Sequence, residues 1–232
     1  MIDRYSITAS ASGIRERFSV DVPDSIAPNY NAAPTQLLPV ITSTAPEGVG
    51  TFYWGTSPMW SKNKTLSEKI INVRAEVIPE KVSLQKALRK SRCIIPADGF
   101  YAWKKAGKKT QIPYRFVCRD QDLFSFAGFW EEYEDTDGNE FHTFTVVTVP
   151  SNNIVAQVHD RMPAILSRAT EKIWLDASSS DDDLMAVLVP YPSEQVNHYS
   201  VSPRISDSNA NAASLIIPAP PADQHGNLTL FD

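Results

Sequence analysis

Cysteine is scarce in this chain of 232 residues, which contains only Cys93 and Cys118. Neither lies at zinc-ligand spacing from a second Cys or a His, and two thiols cannot form the framework of a disulfide-rich domain. We therefore expect two reduced, buried thiols. The sequence requires no disulfide, no metal ion and no other cofactor.

A long hydrophobic run is also missing. No stretch approaches the roughly 20 apolar residues that cross a bilayer, and the first residues, with Asp3 and Arg4, do not resemble a signal peptide. We expect a soluble cytoplasmic protein without a membrane partner. With 42% hydrophobic residues, the chain can build one sizeable core but is too short for a second complete domain.

An excess of positive charge is absent as well, since the formal net charge is −5. This excludes a protein that coats nucleic acid non-specifically. Basic residues nevertheless cluster at 62–69, 86–92 and 104–109, whereas acidic residues concentrate at 131–137 and 181–183. Such segregation would give one basic face on an acidic molecule. The alternative is that these side chains are ordinary solvated surface.

The sequence does contain an alternation of short helix and strand patterns. Apolar residues at helical spacing behind Ser or Asp predict short amphipathic helices, at residues 11–18, 83–90, 170–175 and 184–188. β-branched and aromatic runs predict strands, at residues 37–42, 50–54, 92–95, 114–118, 123–130 and 141–149. Asp137 and Gly138 predict a tight turn that pairs the last two strands as a hairpin.

These elements predict an α+β fold. The 17 prolines interrupt the strands, so we expect a curved, mostly antiparallel sheet or an open irregular barrel with short peripheral helices. From residue 218 the sequence becomes Pro-Ala-Pro-Pro-Ala, a stiff extended spacer. The predicted organisation is one domain over residues 1–217 and a tail over residues 218–232.

His159 is a candidate for acid–base chemistry because imidazole titrates near neutral pH. It is followed by Asp160, Arg161 and a Met-Pro pair. Proline disfavours helix at the preceding residue, so this stretch should be an extended loop, where functional polar residues often lie. A single His is more often a structural residue, so the prediction for His159 depends on the residues that follow it.

Asn72 and Arg74 form a second candidate pair. They alternate on a predicted extended segment over residues 70–77 and so should share a face. A carboxamide suits a sugar hydroxyl, and a guanidinium matches phosphate. The alternative is an edge strand with polar outward positions.

Aromatic residues are interleaved with these candidates. Trp60 and Trp103, each beside lysine or serine, are candidates for stacking on nucleic-acid bases. Trp54, in an apolar strand, should instead pack inside the protein.

Three segments together resemble the SRAP family, the SOS-response-associated peptidases that sense abasic sites in DNA. They read Asn-Val-Arg-Ala-Glu at 72–76, Ala-Asp-Gly-Phe-Tyr-Ala-Trp at 97–103 and Val-His-Asp-Arg-Met-Pro at 158–163. The resemblance covers nearly all of residues 1–217 and implies the α+β fold of that family. It implies that Asn72 and His159 act in the active site and that Arg4, Asn72, Arg74 and Arg161 bind DNA, to which we add the stacking candidates Trp60 and Trp103.

Two positions depart from the family pattern. Members begin Met-Cys-Gly-Arg, whereas this chain has Ile2 and Asp3 before Arg4, and the glutamate expected before the tryptophan is Ala102. The family cysteine closes a thiazolidine with the abasic aldehyde, and Ile2 has no sulfur for this step. A reversible Schiff base through the α-amine is the most that we expect. We interpret both losses as natural divergence, although deliberate alteration at both positions would look the same.

The tail carries a second resemblance. Residues 227–231, Asn-Leu-Thr-Leu-Phe, resemble the short bacterial peptide that binds the replicative sliding clamp. Such a peptide places Leu228, Leu230 and Phe231 in an apolar groove. The alternative is that these residues form a final strand against the domain's own sheet.

The sequence thus predicts an SRAP-like sensor of abasic sites in single-stranded or junction DNA. We expect it to act in the DNA-damage (SOS) response and to associate with the nucleoid when it is bound to DNA. Two alternatives stay open: an active peptidase or amine-based lyase that uses Asn72 and His159, and a non-enzymatic interaction scaffold.

Overall fold

The computed structural model of the protein describes residues 2–55, 71–107, 110–120, 122–134 and 137–229. The strands are β1 (Tyr5–Ile7), β2 (Asn29–Ala32), β3 (Leu37–Thr42), β4 (Ala45–Trp54), β5 (Asn72–Arg74), β6 (Arg92–Ala97), β7 (Gly99–Lys105), β8 (Gln111–Cys118), β9 (Phe124–Glu134), β10 (Glu140–Pro150), β11 (Arg161–Pro163), β12 (Ile165–Leu166) and β13 (Val196–Ser200). The helices are α1 (Ala11–Phe18), α2 (Val82–Lys90), α3 (Arg168–Leu175) and α4 (Asp181–Ala186). None of the helices in these ranges has the length and apolar character that a membrane-spanning helix needs.

The strands form two sheets. One has five strands in the order β13-β8-β7-β1-β2; the other has eight, in the order β11-β10-β4-β3-β6-β9-β12 with β5 added beside β10. Because β9 also pairs with β10, strands β10, β4, β3, β6 and β9 close into a ring. Most pairs are antiparallel, and β10 is parallel to β4 and β5. The predicted α+β fold with a mostly antiparallel sheet is confirmed, and the parallel β4–β10 pair closes the barrel.

The predicted hairpin and helices are present. β9 and β10 pair antiparallel from Glu134↔Glu140 to Gly128↔Val146, and Gly138 in the turn has a φ of 86° that suits glycine. Serine side chains cap the N-termini of α1, α3 and α4. Helix α4 begins three residues before the predicted start because Ser180 and Asp183 form a reciprocal capping box there.

Two predictions of local structure were incomplete. The extended segment predicted over residues 70–77 is a strand only at Asn72–Arg74, and Ala75–Val77 is a 3-10 turn. The prediction was wrong for residues 75–77, where Ile78 N–H closes the turn on the Ala75 carbonyl. Strands β1, β2, β7, β11 and β13 were not predicted, since each is defined by its pairing partners in the sheet.

The residues that were predicted to be buried lie in the core. Trp54 is fully buried, and its indole N–H donates to the Ile71 carbonyl at 3.0 Å. Cys93 and Cys118 are both buried and free, as predicted. Burial raises the pKa of the Cys93 thiol well above its usual range and that of Cys118 to about 12. Both thiols therefore stay protonated and unreactive at neutral pH.

The basic cluster at residues 86–92 does not form a continuous surface patch. Arg92 is buried, and its guanidinium donates to the backbone carbonyls of Leu88, Trp174 and Asp176. Arg89 pairs with Asp181 at the start of α4. The prediction that this cluster contributes to a basic face is wrong for Arg92. The hydrogen bonds of its guanidinium instead connect α2 to the end of α3.

A buried ion pair fixes β1 to the rest of its sheet. The Asp98 carboxylate accepts from Arg115 at 2.7 Å and from the Ser6 hydroxyl at 2.6 Å. Its other oxygen accepts from the backbone and hydroxyl of Thr8. The Arg115 and Asp98 side chains are only 8% and 11% exposed. This network holds the strand that immediately follows Asp3 and Arg4.

We predict that Asp98→Ala destabilises the protein strongly, because it leaves the Arg115 guanidinium buried without its counter-charge. The expected loss in the free energy of unfolding is about 3–5 kcal/mol. Urea denaturation followed by circular dichroism measures it. Asp122→Ala is the matched control, since Asp122 pairs with Arg168 on the surface, where ion pairs contribute little. Equal midpoints for the two variants would contradict the structural role of Asp98.

Candidate functional site

The start of the chain is held against β5. The side-chain amide of Asn72 donates to the Ile2 carbonyl at 2.6 Å. Asn72 is presented there because β5 runs parallel to β10, with Asn72 opposite Val146. The Ile2 side chain is itself buried in the hydrophobic core. Position 2 therefore acts as an apolar anchor for the first residues.

A cavity of about 340 Å³ opens beside this anchor. It is lined by residues from the chain start, from β7 and β8, and from two later loops: Asp3, Arg4, Ala102, Trp103, Lys105, Gln111, His159 and Ser206. The backbone N–H of Tyr101 donates to the Arg4 carbonyl at 3.0 Å, which places the chain start alongside β7. The structure thus brings Arg4, Ala102, Trp103 and His159 together, and we call this space the N-terminal cavity.

Trp103 forms one wall of the N-terminal cavity. Its indole N–H donates to the Ser206 hydroxyl at 3.3 Å. Its ring packs on a small hydrophobic cluster, apart from the main core, that includes Tyr101 and Ile205. A partly exposed ring fixed in this way can contact a ligand without losing much conformational freedom. Trp60, the other stacking candidate, lies outside the described residues.

His159 is positioned by its own loop. His159 Nδ1 lies 3.0 Å from the Arg161 backbone nitrogen, 3.2 Å from the Arg161 carbonyl and 2.9 Å from the Asp160 carboxylate, and these contacts fix the orientation of the ring. Burial lowers the pKa of His159, and the Asp160 carboxylate, 2.9 Å from Nδ1, acts in the opposite direction. A lowered pKa favours the neutral ring at neutral pH, so His159 can accept a proton there.

Arg161 is engaged within the protein. It forms a bidentate ion pair with Glu76 at 2.7 and 2.9 Å, and it also donates to the Thr148 carbonyl at 2.6 Å. The hydrogen bond from Arg161 lowers the pKa of Glu76. Arg74 is exposed and has no hydrogen-bonding partner among the described residues. The two guanidinium groups lie on strands that pair with the same end of β10.

Unpaired polar atoms concentrate at this site. Within the described ranges, eight buried side-chain nitrogen or oxygen atoms lack a hydrogen-bond partner, and four of them belong to site residues. These four are Asp3 Oδ1, Asn72 Oδ1, Arg4 Nε and Arg161 Nε. Each unpaired group costs roughly 1–3 kcal/mol. Two of these four atoms are acceptors and two are donors.

Sequence reasoning missed several members of the site. Lys105, Gln111 and Ser206 line the N-terminal cavity, and the Glu76 carboxylate holds Arg161. Of these residues, only Lys105 had a feature in the sequence that could have marked it, because it belongs to the basic cluster at residues 104–109. Gln111 and Ser206 reach the cavity through strand pairing and loop packing that no local pattern shows.

The tail contacts the N-terminal cavity at Gln111, whose backbone N–H donates to the Gln224 side chain. Leu228 is 67% exposed and forms an isolated antiparallel bridge with Ala222. Leu230 and Phe231 lie outside the described residues. Ala219 bonds to Ser200 of β13, and Gln224 accepts from the Gln111 backbone, so the segment before Leu228 lies along the domain.

Comparison with known proteins supports this architecture. Residues 1–208 match the family model described as SOS response associated peptidase (SRAP). The chain is 38% identical over 221 residues to the abasic site processing protein YoqW of Bacillus subtilis (strain 168), an alignment that covers 93% of this chain and 99% of YoqW. It is 27% identical over 238 residues to the abasic site processing protein HMCES of Rattus norvegicus, covering 85% of this chain and 67% of that protein.

A solved structure extends the comparison. A protein from Bacteroides thetaiotaomicron superposes with a TM-score of 0.82 at 28% identity, covering 93% of this chain and 99% of that one. The chain therefore belongs to the SRAP family of SOS response associated peptidases.

Proposed function

We propose that this protein recognises abasic sites in single-stranded or junction DNA and acts as a sensor of that damage in the SOS response. The N-terminal cavity and the two neighbouring arginines, Arg74 and Arg161, form the binding site. Binding is non-covalent or, at most, reversibly covalent. The protein would then work in the cytoplasm and associate with the nucleoid when it is bound to DNA.

The set of four unpaired polar atoms is the observation that carries this proposal. An abasic sugar bears a hydroxyl or an aldehyde in place of the base and is flanked by phosphates. Hydroxyl groups can donate to Asp3 and Asn72, and phosphate oxygens can accept from the arginines. The size of the cavity, about 340 Å³, also suits an abasic site. The cavity has to admit only a sugar, because no base is attached to it.

The family relatives support the choice of ligand. YoqW and HMCES are named as abasic site processing proteins. This chain keeps Arg4, Asn72, Arg74, His159 and Arg161, the residues that the family resemblance assigns to binding and proton transfer.

The side chains at positions 2 and 102 favour binding over stable capture. Ile2 offers no sulfur, and its side chain is buried in the core rather than directed at a ligand. Ala102 supplies no carboxyl to the cavity it lines. His159 is still placed to move a proton, so a reversible imine would not lack a base. A stable thiazolidine cannot form without a thiol.

The tail suggests a further partner. We propose that residues 227–231 bind the replicative sliding clamp and bring the protein to replication forks. The exposed Leu228 supports this proposal, because an apolar side chain that packs on the domain would be buried.

We predict that the protein binds an abasic single-stranded oligonucleotide more tightly than an intact one. Arg74→Ala should weaken binding of both by a similar factor, roughly three- to tenfold near 0.1 M salt, and should reduce the slope of log affinity against log salt by about 0.7. Fluorescence anisotropy across a salt series measures both effects. Arg168→Ala, which removes an exposed arginine that does not line the cavity, should leave the preference unchanged.

Arg161 requires a paired design, because Arg161→Ala also leaves the Glu76 carboxylate unopposed near the DNA. Glu76→Gln should release the guanidinium and raise the affinity, whereas Arg161→Ala should lower it by more than Arg74→Ala. The complex of the wild-type protein with abasic DNA should dissociate in hot detergent, because we propose that no stable covalent bond forms. Unchanged affinity in both arginine variants would contradict the proposal and favour an interaction scaffold, and a detergent-resistant adduct would contradict non-covalent binding.

For the tail, we predict that immobilised full-length protein retains purified bacterial sliding clamp and that a chain truncated at Pro221 does not. Leu228→Ala should also lose retention, since the peptide depends on its apolar side chains. Val189→Ala is the control, because Val189 is another exposed aliphatic residue. Equal recovery of the clamp by the full-length and truncated chains would remove the proposal.

A further inference from the structure

Asp3 is an unexpected residue in a cavity that binds a polyanion. Its carboxylate lies beside Arg4 and repels phosphate, so it lowers the affinity for DNA unless it makes a contact of its own. The side chain is 48% exposed, yet Oδ1 is enclosed and has no hydrogen-bond partner among the described residues. A surface carboxylate that merely points into water would not be arranged in this way.

Arg4 does not satisfy this carboxyl. The distance from Arg4 Nη1 to Asp3 Oδ2 is 3.9 Å, which is too long for a hydrogen bond. Nη1 donates instead to the Asp3 backbone carbonyl at 2.6 Å. Burial raises the pKa of Asp3, while the charge of Arg4 and a hydrogen bond from the backbone N–H of Asp3 itself act in the opposite direction. The carboxyl is thus held at the cavity with its Oδ1 atom unpaired.

Ala102 lies on the adjoining wall of the same cavity. The bond from Tyr101 N–H to the Arg4 carbonyl sets residues 3 and 4 directly alongside residues 101 and 102. A carboxyl carried by residue 3 and one carried by residue 102 would therefore reach the same end of the cavity. Ala102 contributes only a methyl group to the cavity. The carboxyl group in the cavity belongs to Asp3, at the start of the chain.

We propose that Asp3 supplies the carboxyl that position 102 lacks and accepts a hydrogen bond from the C1′ hydroxyl of an abasic sugar. It would then be a specificity-determining residue, because that hydroxyl is the donor that appears when the base is lost. An intact nucleotide has no donor at C1′, and neither does a tetrahydrofuran analogue of the abasic site. This inference rests on the proposed recognition of abasic DNA and names the group that discriminates.

The test uses the full chain and three single-stranded oligonucleotides of one sequence, which carry an abasic site, a tetrahydrofuran analogue or an intact nucleotide. Wild-type protein should prefer the abasic site over tetrahydrofuran by about tenfold, the value expected for one hydrogen bond to a charged group. Asp3→Gly should abolish this preference while its affinity for the tetrahydrofuran oligonucleotide stays equal or rises. Asp3→Asn, which keeps the shape and one acceptor, should show an intermediate preference.

Two further variants separate the carboxyl from other effects. Asp24→Gly removes the same charge from a side chain that is 98% exposed, and it should keep the full preference. Asp3→Gly combined with Ala102→Glu should restore the preference by returning a carboxyl to the adjoining wall. Thermal melting verifies that each variant is folded, and Asp3→Asn serves if Asp3→Gly melts early.

Two results would overturn the inference in different ways. If Asp3→Gly and Asp3→Asn both retain the wild-type preference for the abasic site over tetrahydrofuran, the inference fails and the proposed function stands. If wild-type protein binds abasic and intact oligonucleotides equally, the proposed function fails and the inference fails with it.

Discussion

The site depends on one constraint, which is that the first residues of the chain are fixed against the sheet. Two contacts impose it. Asn72 holds the Ile2 carbonyl, and the buried Asp98–Arg115 pair holds β1 through Ser6 and Thr8. A chain start usually frays unless it is tied down. Here the tie places Asp3 and Arg4 opposite β7, so that they become walls of the N-terminal cavity.

The same constraint explains how the chain can lose a nucleophile and keep a binding site. In this chain Ile2 packs into the core. The apolar side chain holds the start in place by burial, which a reactive thiol facing a ligand could not do as well. The polar groups around it, from Asn72 to His159, keep their positions because β5, β7 and the loop before β11 hold them. The proposed binding site therefore does not depend on a thiol at position 2.

Much of the local structure could be predicted from the sequence, because it rests on local rules. Ser10 marked the start of α1, Gly138 marked the turn of the β9–β10 hairpin, and the apolar setting of Trp54 predicted its burial. The parts that depend on distant partners could not be read in this way. Strand β1 exists because Tyr5 pairs with Phe100 and with Ala32, and the closed ring depends on a parallel pair between β4 and β10.

The candidate site follows the same division. Residue chemistry suggested His159, Asn72 and Arg74 one at a time, and only the family resemblance placed them together with Arg4 and Arg161. The pairing of Arg161 with Glu76 was not foreseen, since residues 85 positions apart in sequence meet only through strands β5 and β11. The role of Asp3 was also hidden, because a single acidic residue near a chain start has no pattern that marks it as part of a cavity.

The most direct test of the central claim is a crystal structure of the protein with a single-stranded oligonucleotide that carries one abasic site. The account predicts the abasic sugar inside the N-terminal cavity, within hydrogen-bonding distance of Asp3 or His159, with the flanking phosphates at Arg74 and Arg161. An oligonucleotide bound on another face, with the cavity unchanged, would contradict it.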